Sequence, residues 1–107
     1  MNRKLVAIDF DKTLSTEAGR PIQANIDLAQ YMFDEGHIVV IYTARPRVDL
    51  PLVQSWLIEN NVRHDMIVTD KLRYDVLVDD RTVSFDQRNP EPSSVVIQKC
   101  QKVMEAK

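Results

Sequence analysis

Two aspartates separated by a single residue follow the first apolar run of the chain. The segment "LVAIDFDKTLS", residues 5–15, ends its aliphatic part at Asp9 and continues through Asp11 to Thr13. A carboxylate can attack as a nucleophile, exchange a proton as a general acid or base, or bind a hard cation. Carboxylates this close repel each other unless a cation or a ligand lies between them. The spacing therefore points to nucleophilic, acid–base or metal-binding chemistry.

Later apolar runs also end in polar residues, and these residues suit a phosphoryl group. They are Thr43, Lys71, Asp79 and Asp80. A threonine hydroxyl and a lysine ammonium, together with the backbone N–H groups of Phe10 and Asp11, could hold the oxygens of a phosphoryl group during transfer. Asp9 could then attack phosphorus. The carboxylates form a set of oxygen ligands that predicts Mg²⁺ as the metal, namely Asp9, Asp11, Asp79 and Asp80.

Four short runs rich in β-branched residues must position these side chains. The runs predict strands buried on both faces, at residues 5–8, 38–42, 66–68 and 76–78. Strands that alternate with helices predict a parallel sheet, and such sheets bind ligands at the carboxyl ends of their strands. We therefore expect a single α/β domain over residues 1–107, built as a three-layer Rossmann-like parallel sheet with helices on both faces.

Helical patterns fill the intervals between the predicted strands. Asn25 is expected to cap the first helix and Gly36 to end it, and Asp49 is expected to cap the second. The segment "RTVSF", residues 81–85, predicts a short edge strand. Ser93 or Ser94 is expected to cap a last helix.

Composition narrows the classes of partner. The chain has 107 residues, 44% of them apolar and 28% charged, which suits one domain with a modest core. A formal net charge of −2 gives no general attraction to nucleic acid or to an anionic membrane. Cys100 is the only cysteine and no apolar leader is evident, so the sequence predicts a cytoplasmic protein with no internal disulfide and no membrane association.

Four short motifs, taken in order, resemble those of the haloacid dehalogenase (HAD) superfamily, whose members transfer phosphoryl groups through an aspartate nucleophile. "DFDKTL" matches the first motif of that family, Asp-x-Asp-x-Thr-Leu, and "IYTAR" is similar to the second through Thr43. Lys71 matches the third motif and "VLVDDR" is similar to the fourth. The resemblance covers about residues 4–82 and implies a HAD-like fold.

The resemblance also implies a role for each site residue. Asp9 would be the nucleophile and a metal ligand, and Asp11 the general acid and base, with its backbone carbonyl on the metal. The remaining roles would be phosphate binding by Thr43 and Lys71 and Mg²⁺ binding by Asp79 and Asp80. The expected activity is hydrolysis of a phosphate monoester through an aspartyl-phosphate, because two displacements replace one difficult step.

One position departs from the pattern of the small phosphatases in this family. Their motif lysine is often followed by proline, in "Lys-Pro-x-Tyr-Asp", whereas this chain reads "KLRYD" with Leu72 after Lys71. Without the rigid proline, the direction of the Lys71 side chain is expected to be less fixed.

The predicted site is open to large substrates. The intervals from Thr13 to Thr43 and from Thr43 to Lys71 are each filled by one helix, one strand and short loops, which leaves no room for an inserted cap domain. Only "STEAGRPIQ", residues 15–23, could act as a small flap. A second anionic group on the substrate could be bound by Arg45, Arg47 and Arg81.

Capless members of the family act on sugar phosphates or on nucleic-acid ends, and some use a neighbouring subunit as a lid. The low net charge favours a sugar phosphate or another phosphorylated metabolite over nucleic acid, and a homo-oligomer that supplies a lid remains open.

A receiver-like module that accepts a phosphoryl group without turnover is an alternative of another class. Its phosphorylated aspartate would follow a middle strand, whereas Asp9 follows the first. A non-catalytic scaffold is a third reading, although every chemical residue is intact.

Overall fold

A computed structural model describes residues 3–105 as a parallel three-stranded sheet connected by helices. Strands β1 (Leu5–Asp9), β2 (Ile38–Tyr42) and β3 (Met66–Val68) are adjacent in that order. Helix α1 (Gln23–Asp34) connects β1 to β2, and a 3-10 turn (Arg47–Asp49) with helix α2 (Leu50–Glu59) connects β2 to β3. Helix α3 (Ser93–Glu105) follows. The predicted α/β class and the alternation of parallel strands with helices are confirmed.

Both crossover helices end in the same kind of hydrogen-bonded turn. After α1, Gly36 has φ of +85°. Its N–H donates to the carbonyl of Phe33 at 3.1 Å, and the N–H of His37 donates to that of Met32 at 3.0 Å. After α2, Asn61 takes the left-handed place with φ of 54°. These are Schellman turns, in which a left-handed residue lets the last carbonyls of the helix find donors. The predicted helix end at Gly36 is confirmed.

The start of α1 differs from the prediction. The helix begins at Gln23 after Ile22, so Asn25 lies inside the first turn and is buried rather than serving as the cap. Asp49 does occupy the position before α2, but its side chain makes no capping hydrogen bond. The predicted last helix, α3, is present, but it begins at Ser93, so neither Ser93 nor Ser94 precedes it as the cap. Capping preferences describe local hydrogen bonds, and a tertiary partner for Asn25 outweighs them here.

Burial differs strongly between the strands. Val39, Val40 and Ile41 in β2 are all buried, so this central strand has both faces covered. In β1 only the face of Ile8 is buried, whereas Leu5 on the opposite face is largely exposed. The expectation that every strand is buried on both faces is therefore wrong for β1, and it is also wrong for the short β3, whose first and last residues are exposed. The core lies against β2, under α1 and α2, with Val96 of α3 at its margin.

The predicted fourth strand is absent from the described part of the chain. Residues 76–78 are valine, leucine and valine with 77%, 49% and 93% of their surface exposed, and they belong to no strand. Residues 81–85, the predicted edge strand, also form none. A β-branched run favours extended backbone, but a strand also requires a neighbour with which to form a hydrogen-bonded ladder. Among residues 3–105, no helix is long and apolar enough to cross a membrane.

Candidate active site

The parallel register brings the predicted chemical residues to one edge of the sheet. Asp9 is the register partner of Tyr42, and Tyr42 is the partner of Val68. The three strands therefore end side by side. Thr43 follows directly after β2, and Lys71 comes in the loop after β3. This edge corresponds to the carboxyl ends of the strands, where the sequence predicted the site.

The Asp9 carboxylate lies between a cation and a hydroxyl. The hydroxyl of Thr13 donates to Oδ2 of Asp9 at 3.0 Å, and Nζ of Lys71 lies 3.5 Å from Oδ1. The side chain of Asp9 is 37% exposed, whereas that of Lys71 is only 19% exposed. A partly buried ammonium offsets the negative charge of Asp9 while leaving the carboxylate accessible from solvent. The structure thus brings together Asp9, Thr13 and Lys71, as the spacing of the motifs predicted.

The loop after Asp9 is folded tightly around one backbone carbonyl. The carbonyl of Phe10 accepts hydrogen bonds from the N–H groups of Thr13, Leu14 and Ser15 at 3.3, 2.9 and 3.1 Å. Lys12 adopts the left-handed region with φ of 65°, which lets the chain reverse within a few residues. This turn fixes the hydroxyl of Thr13 beside Asp9.

Asn25 is a residue of this site that the sequence reasoning missed. Its side chain is only 2% exposed, and its Nδ2 donates to the backbone carbonyl of Thr13 at 2.8 Å. The bond anchors the loop after Asp9 to helix α1. The sequence placed Asn25 at an expected helix start, which favoured a capping role.

Backbone hydrogen bonds fix the positions of Thr43 and Lys71. The N–H of Thr43 donates to the carbonyl of Val68 at 2.9 Å, and the N–H of Lys71 donates to the carbonyl of Thr43 at 3.0 Å. Thr43 is fully buried, and its Oγ1 accepts a hydrogen bond from the N–H of Arg45 at 3.1 Å. The two predicted phosphate-binding residues are therefore directly linked.

Arg45 forms a two-pronged ion pair with Asp11. Its Nε lies 3.3 and 3.0 Å from the two carboxylate oxygens, and its Nη2 lies 2.8 Å from Oδ1. Hydrogen bonding to Asp11 raises the pKa of Arg45 above its ordinary value, despite an opposing effect of burial. Arg45 was predicted as a contact for a second anionic group of the substrate. In the structure this guanidinium is committed to Asp11.

The acidic pair of the predicted fourth motif does not join this cluster. Asp79 accepts a hydrogen bond from the N–H of Arg81 at 2.9 Å, and the Nε of Arg81 lies 3.8 Å from Oδ1 of Asp80. All three residues are exposed. Across residues 3–105, no group of three or more histidine, cysteine or acidic side chains could hold a metal ion. The predicted convergence of Asp9, Asp11, Asp79 and Asp80 is therefore not seen, because the strand expected to deliver the last two does not form.

The loop predicted as a flap is attached to the body of the domain. Ser15 pairs with Pro21 in an isolated antiparallel bridge. The indole N–H of Trp56 donates to the carbonyl of Gly19 at 3.0 Å. The ring of Trp56 also meets that of Phe10 edge to face, with 5.2 Å between centroids. Arg47, another predicted substrate contact, is exposed in the 3-10 turn before α2.

Comparisons with known proteins show the fold alone. A solved structure of a structural-genomics target from Vibrio cholerae matches with a TM-score of 0.72 and 24% sequence identity, over 96% of this chain and 98% of that one. A scan against models of known protein families finds no match, and a search of curated proteins also finds none. The chain thus shares its overall architecture with the Vibrio cholerae protein.

Proposed function

We propose that the chain is a Mg²⁺-dependent phosphomonoester hydrolase of the HAD type, with Asp9 as nucleophile. The observation that supports the proposal most is the pairing of the Asp9 carboxylate with Nζ of Lys71 at 3.5 Å and with the hydroxyl of Thr13 at 3.0 Å. An accessible carboxylate beside a fixed cation suits attack on an anionic phosphoryl group. The proposal includes the finer fold, a three-layer HAD-like sheet without a cap domain.

The reaction proceeds through two displacements at phosphorus. A carboxylate oxygen of Asp9 forms a bond to phosphorus while the bond to the leaving oxygen breaks. Asp11, once protonated and released from its ion pair with Arg45, gives that oxygen a proton. Water then attacks phosphorus of the aspartyl-phosphate, and Asp11 takes the proton of the water as the Asp9–phosphorus bond breaks. Inorganic phosphate leaves and Asp9 is restored. Lys71 and the backbone N–H groups of Phe10 and Asp11 stabilise the phosphoryl oxygens, and the hydroxyl of Thr43, which is buried in the structure, would have to become accessible to join them.

The oxygen donors near Asp9 suit Mg²⁺, which binds through one or two carboxylates together with waters and phosphate oxygens. Asp9 would contribute its carboxylate and Asp11 its backbone carbonyl. Asp79 and Asp80, which lie in an exposed loop outside this cluster, would have to move toward Asp9 to complete the proposed set. When bound, the ion would supply positive charge between the nucleophile and the phosphoryl group.

The proposed substrate is a sugar phosphate or another phosphorylated metabolite. The connections between the described strands consist of one helix and short loops, so the site edge has no covering domain within residues 3–105. A phosphorylated nucleic-acid end would also fit an open edge, but the formal net charge of −2 gives no general attraction to it. No membrane partner is proposed.

Release of phosphate from p-nitrophenyl phosphate tests the activity. We expect Mg²⁺-dependent turnover by the wild type and its loss in Asp9→Asn, which keeps the shape of the side chain but removes the nucleophile. Asp27→Asn changes an exposed residue of α1 whose carboxylate accepts a hydrogen bond from Gln23; it is the matched control and should retain full activity. Turnover that persists in Asp9→Asn contradicts the proposal. A stable phosphoprotein without turnover would instead support the receiver-like alternative.

A panel of substrates tests the proposed class. Sugar phosphates, nucleotides and oligonucleotides phosphorylated at the 3′ or 5′ end are compared by Mg²⁺-dependent phosphate release. The highest kcat/KM is expected among the sugar phosphates. A preference for phosphorylated oligonucleotides would transfer the proposal to nucleic-acid ends, and no release from any member would reject the phosphomonoesterase.

A further inference from the structure

The ammonium of Lys71 lies near two tyrosine rings. Its Nζ is 5.1 Å from the ring centroid of Tyr42 and 5.7 Å from that of Tyr74. Both distances are within the range of about 6 Å at which a cation is attracted to the face of an aromatic ring. The same ammonium is 3.5 Å from Asp9. Lys71 thus has one carboxylate and two rings as partners.

The backbone alone does not determine where this ammonium lies. The N–H of Asp70 donates to the carbonyl of Arg45 at 2.9 Å and that of Lys71 to Thr43 at 3.0 Å, so the base of the side chain is fixed. A lysine side chain nevertheless has four rotatable methylene groups beyond its Cα. Leu72, which stands where related small phosphatases often have proline, is 81% exposed. It therefore packs little against the loop.

The two tyrosines are placed by different parts of the chain. Tyr42 is the last residue of β2 and pairs in register with Asp9. Tyr74 lies in the loop after Lys71. Tyr42 is 38% exposed and Tyr74 is 44% exposed, so neither is a core residue. Burial does not explain two large aromatic residues at this edge, whereas attraction to the Lys71 ammonium does.

We propose that Tyr42 and Tyr74 are positioning residues that hold the ammonium of Lys71 beside Asp9 and the phosphoryl site. The inference rests on the proposed function for its catalytic consequence. The rings restrict the lysine side chain to the few rotamers in which Nζ faces Asp9. They thereby take over the role that a proline after the lysine would play through the backbone.

Removal of either ring tests the proposal. Tyr42→Leu and Tyr74→Leu should each weaken orthophosphate binding, measured by calorimetry, and lower kcat/KM for p-nitrophenyl phosphate by about two- to fivefold, the strength of an exposed cation–π contact. Tyr74→Phe keeps the ring and should keep wild-type values. Leu72→Ala is the control for a change next to Lys71 and should also have no effect.

A second series distinguishes positioning of Lys71 from direct contact with the substrate. In a Lys71→Met background, the tyrosine substitutions should cause no further loss, because the group that they position is gone. A further loss of the same size in that background would overturn the proposal and indicate that the rings contact the substrate themselves.

A spectroscopic measurement separates this inference from the proposed function. Ring currents should shift the Hε resonances of Lys71 upfield in the wild type, with the resonance assigned from Lys71→Met, and each leucine variant should reverse part of the shift. If the wild type neither hydrolyses nor binds phosphate, the proposed function fails while this shift still reports the arrangement. An unshifted lysine resonance in the wild type would reject the positioning role regardless of activity.

Discussion

Replacement of Asn25 should damage both the stability of the domain and the candidate site. This residue is 2% exposed and donates from Nδ2 to the carbonyl of Thr13 at 2.8 Å. Asn25→Ala removes the hydrogen bond, leaves that carbonyl without its donor and creates a small cavity. The loss of a buried partner costs about 1–3 kcal/mol. We therefore expect the free energy of unfolding to fall by about 2 kcal/mol, a sizeable part of the 5–15 kcal/mol typical of a domain.

The assay is urea and thermal unfolding followed by circular dichroism. For a chain of this size, about 2 kcal/mol corresponds to a decrease in Tm of roughly 10 °C. Asn25→Asp should be still less stable, because it presents a carboxylate oxygen to the Thr13 carbonyl in a buried place. The matched control is Gln23→Ala in the same helix. Its side-chain bond to Asp27, at 2.9 Å, is exposed, and such pairs contribute only about 0.2–0.5 kcal/mol.

The proposed function adds a kinetic consequence. Asn25→Ala should lower kcat for p-nitrophenyl phosphate by about tenfold, since small displacements of a catalytic group are costly. The displaced group here is the loop that holds Thr13 against Asp9. A change in unfolding free energy below about 0.5 kcal/mol for Asn25→Ala, no larger than that of Gln23→Ala, would refute the reasoning.

Two further predictions concern the charged and titrating groups. A double-mutant cycle of Arg45→Met and Asp11→Asn, measured by urea unfolding, should give a coupling free energy of about 1 kcal/mol. This value is larger than that of a typical exposed pair because the contact is two-pronged. A coupling free energy below about 0.3 kcal/mol would show that the pair contributes nothing. Burial raises the pKa of the Cys100 thiol in the folded protein. The stability that this neutral thiol contributes is therefore complete below the ordinary thiol pKa, and it is lost as pH rises through the folded-state pKa. Wild-type unfolding free energy should thus fall more steeply than that of Cys100→Ala between pH 8 and pH 10, and equal slopes would contradict the effect.

The elements predicted correctly are those specified by short-range patterns. β2 and β3 have the expected bounds, because a β-branched run between polar segments is compatible with few other structures. The end of α1 at Gly36 was also evident, because a left-handed residue after a helix is most easily a glycine. For Gly36 the deciding hydrogen bonds lie within a few residues, whereas β2 and β3 depend in addition on pairing with strands distant in the sequence.

The elements predicted wrongly depend on partners distant in the sequence. Residues 76–78 have the composition of a strand, yet the described sheet contains only β1, β2 and β3 and these residues remain exposed. Asn25 has the composition of a cap, yet its partner is a carbonyl 12 residues upstream. A sequence pattern records what a residue can do locally, but not which of several tertiary partners it meets.

The candidate site was likewise predicted only in part. The contacts that the sequence did not predict change how the charge of the site is understood. The sequence predicted two carboxylates at the end of β1 and required a cation or a ligand to offset their repulsion. In the structure, the protein itself supplies a cation to each, Lys71 for Asp9 and Arg45 for Asp11, from the segments that follow β3 and β2. The repulsion between the carboxylates is therefore already offset in the folded chain. A metal ion at this edge would have to share Asp9 with Lys71, so its contribution would be to substrate binding and chemistry rather than to holding the strand ends together.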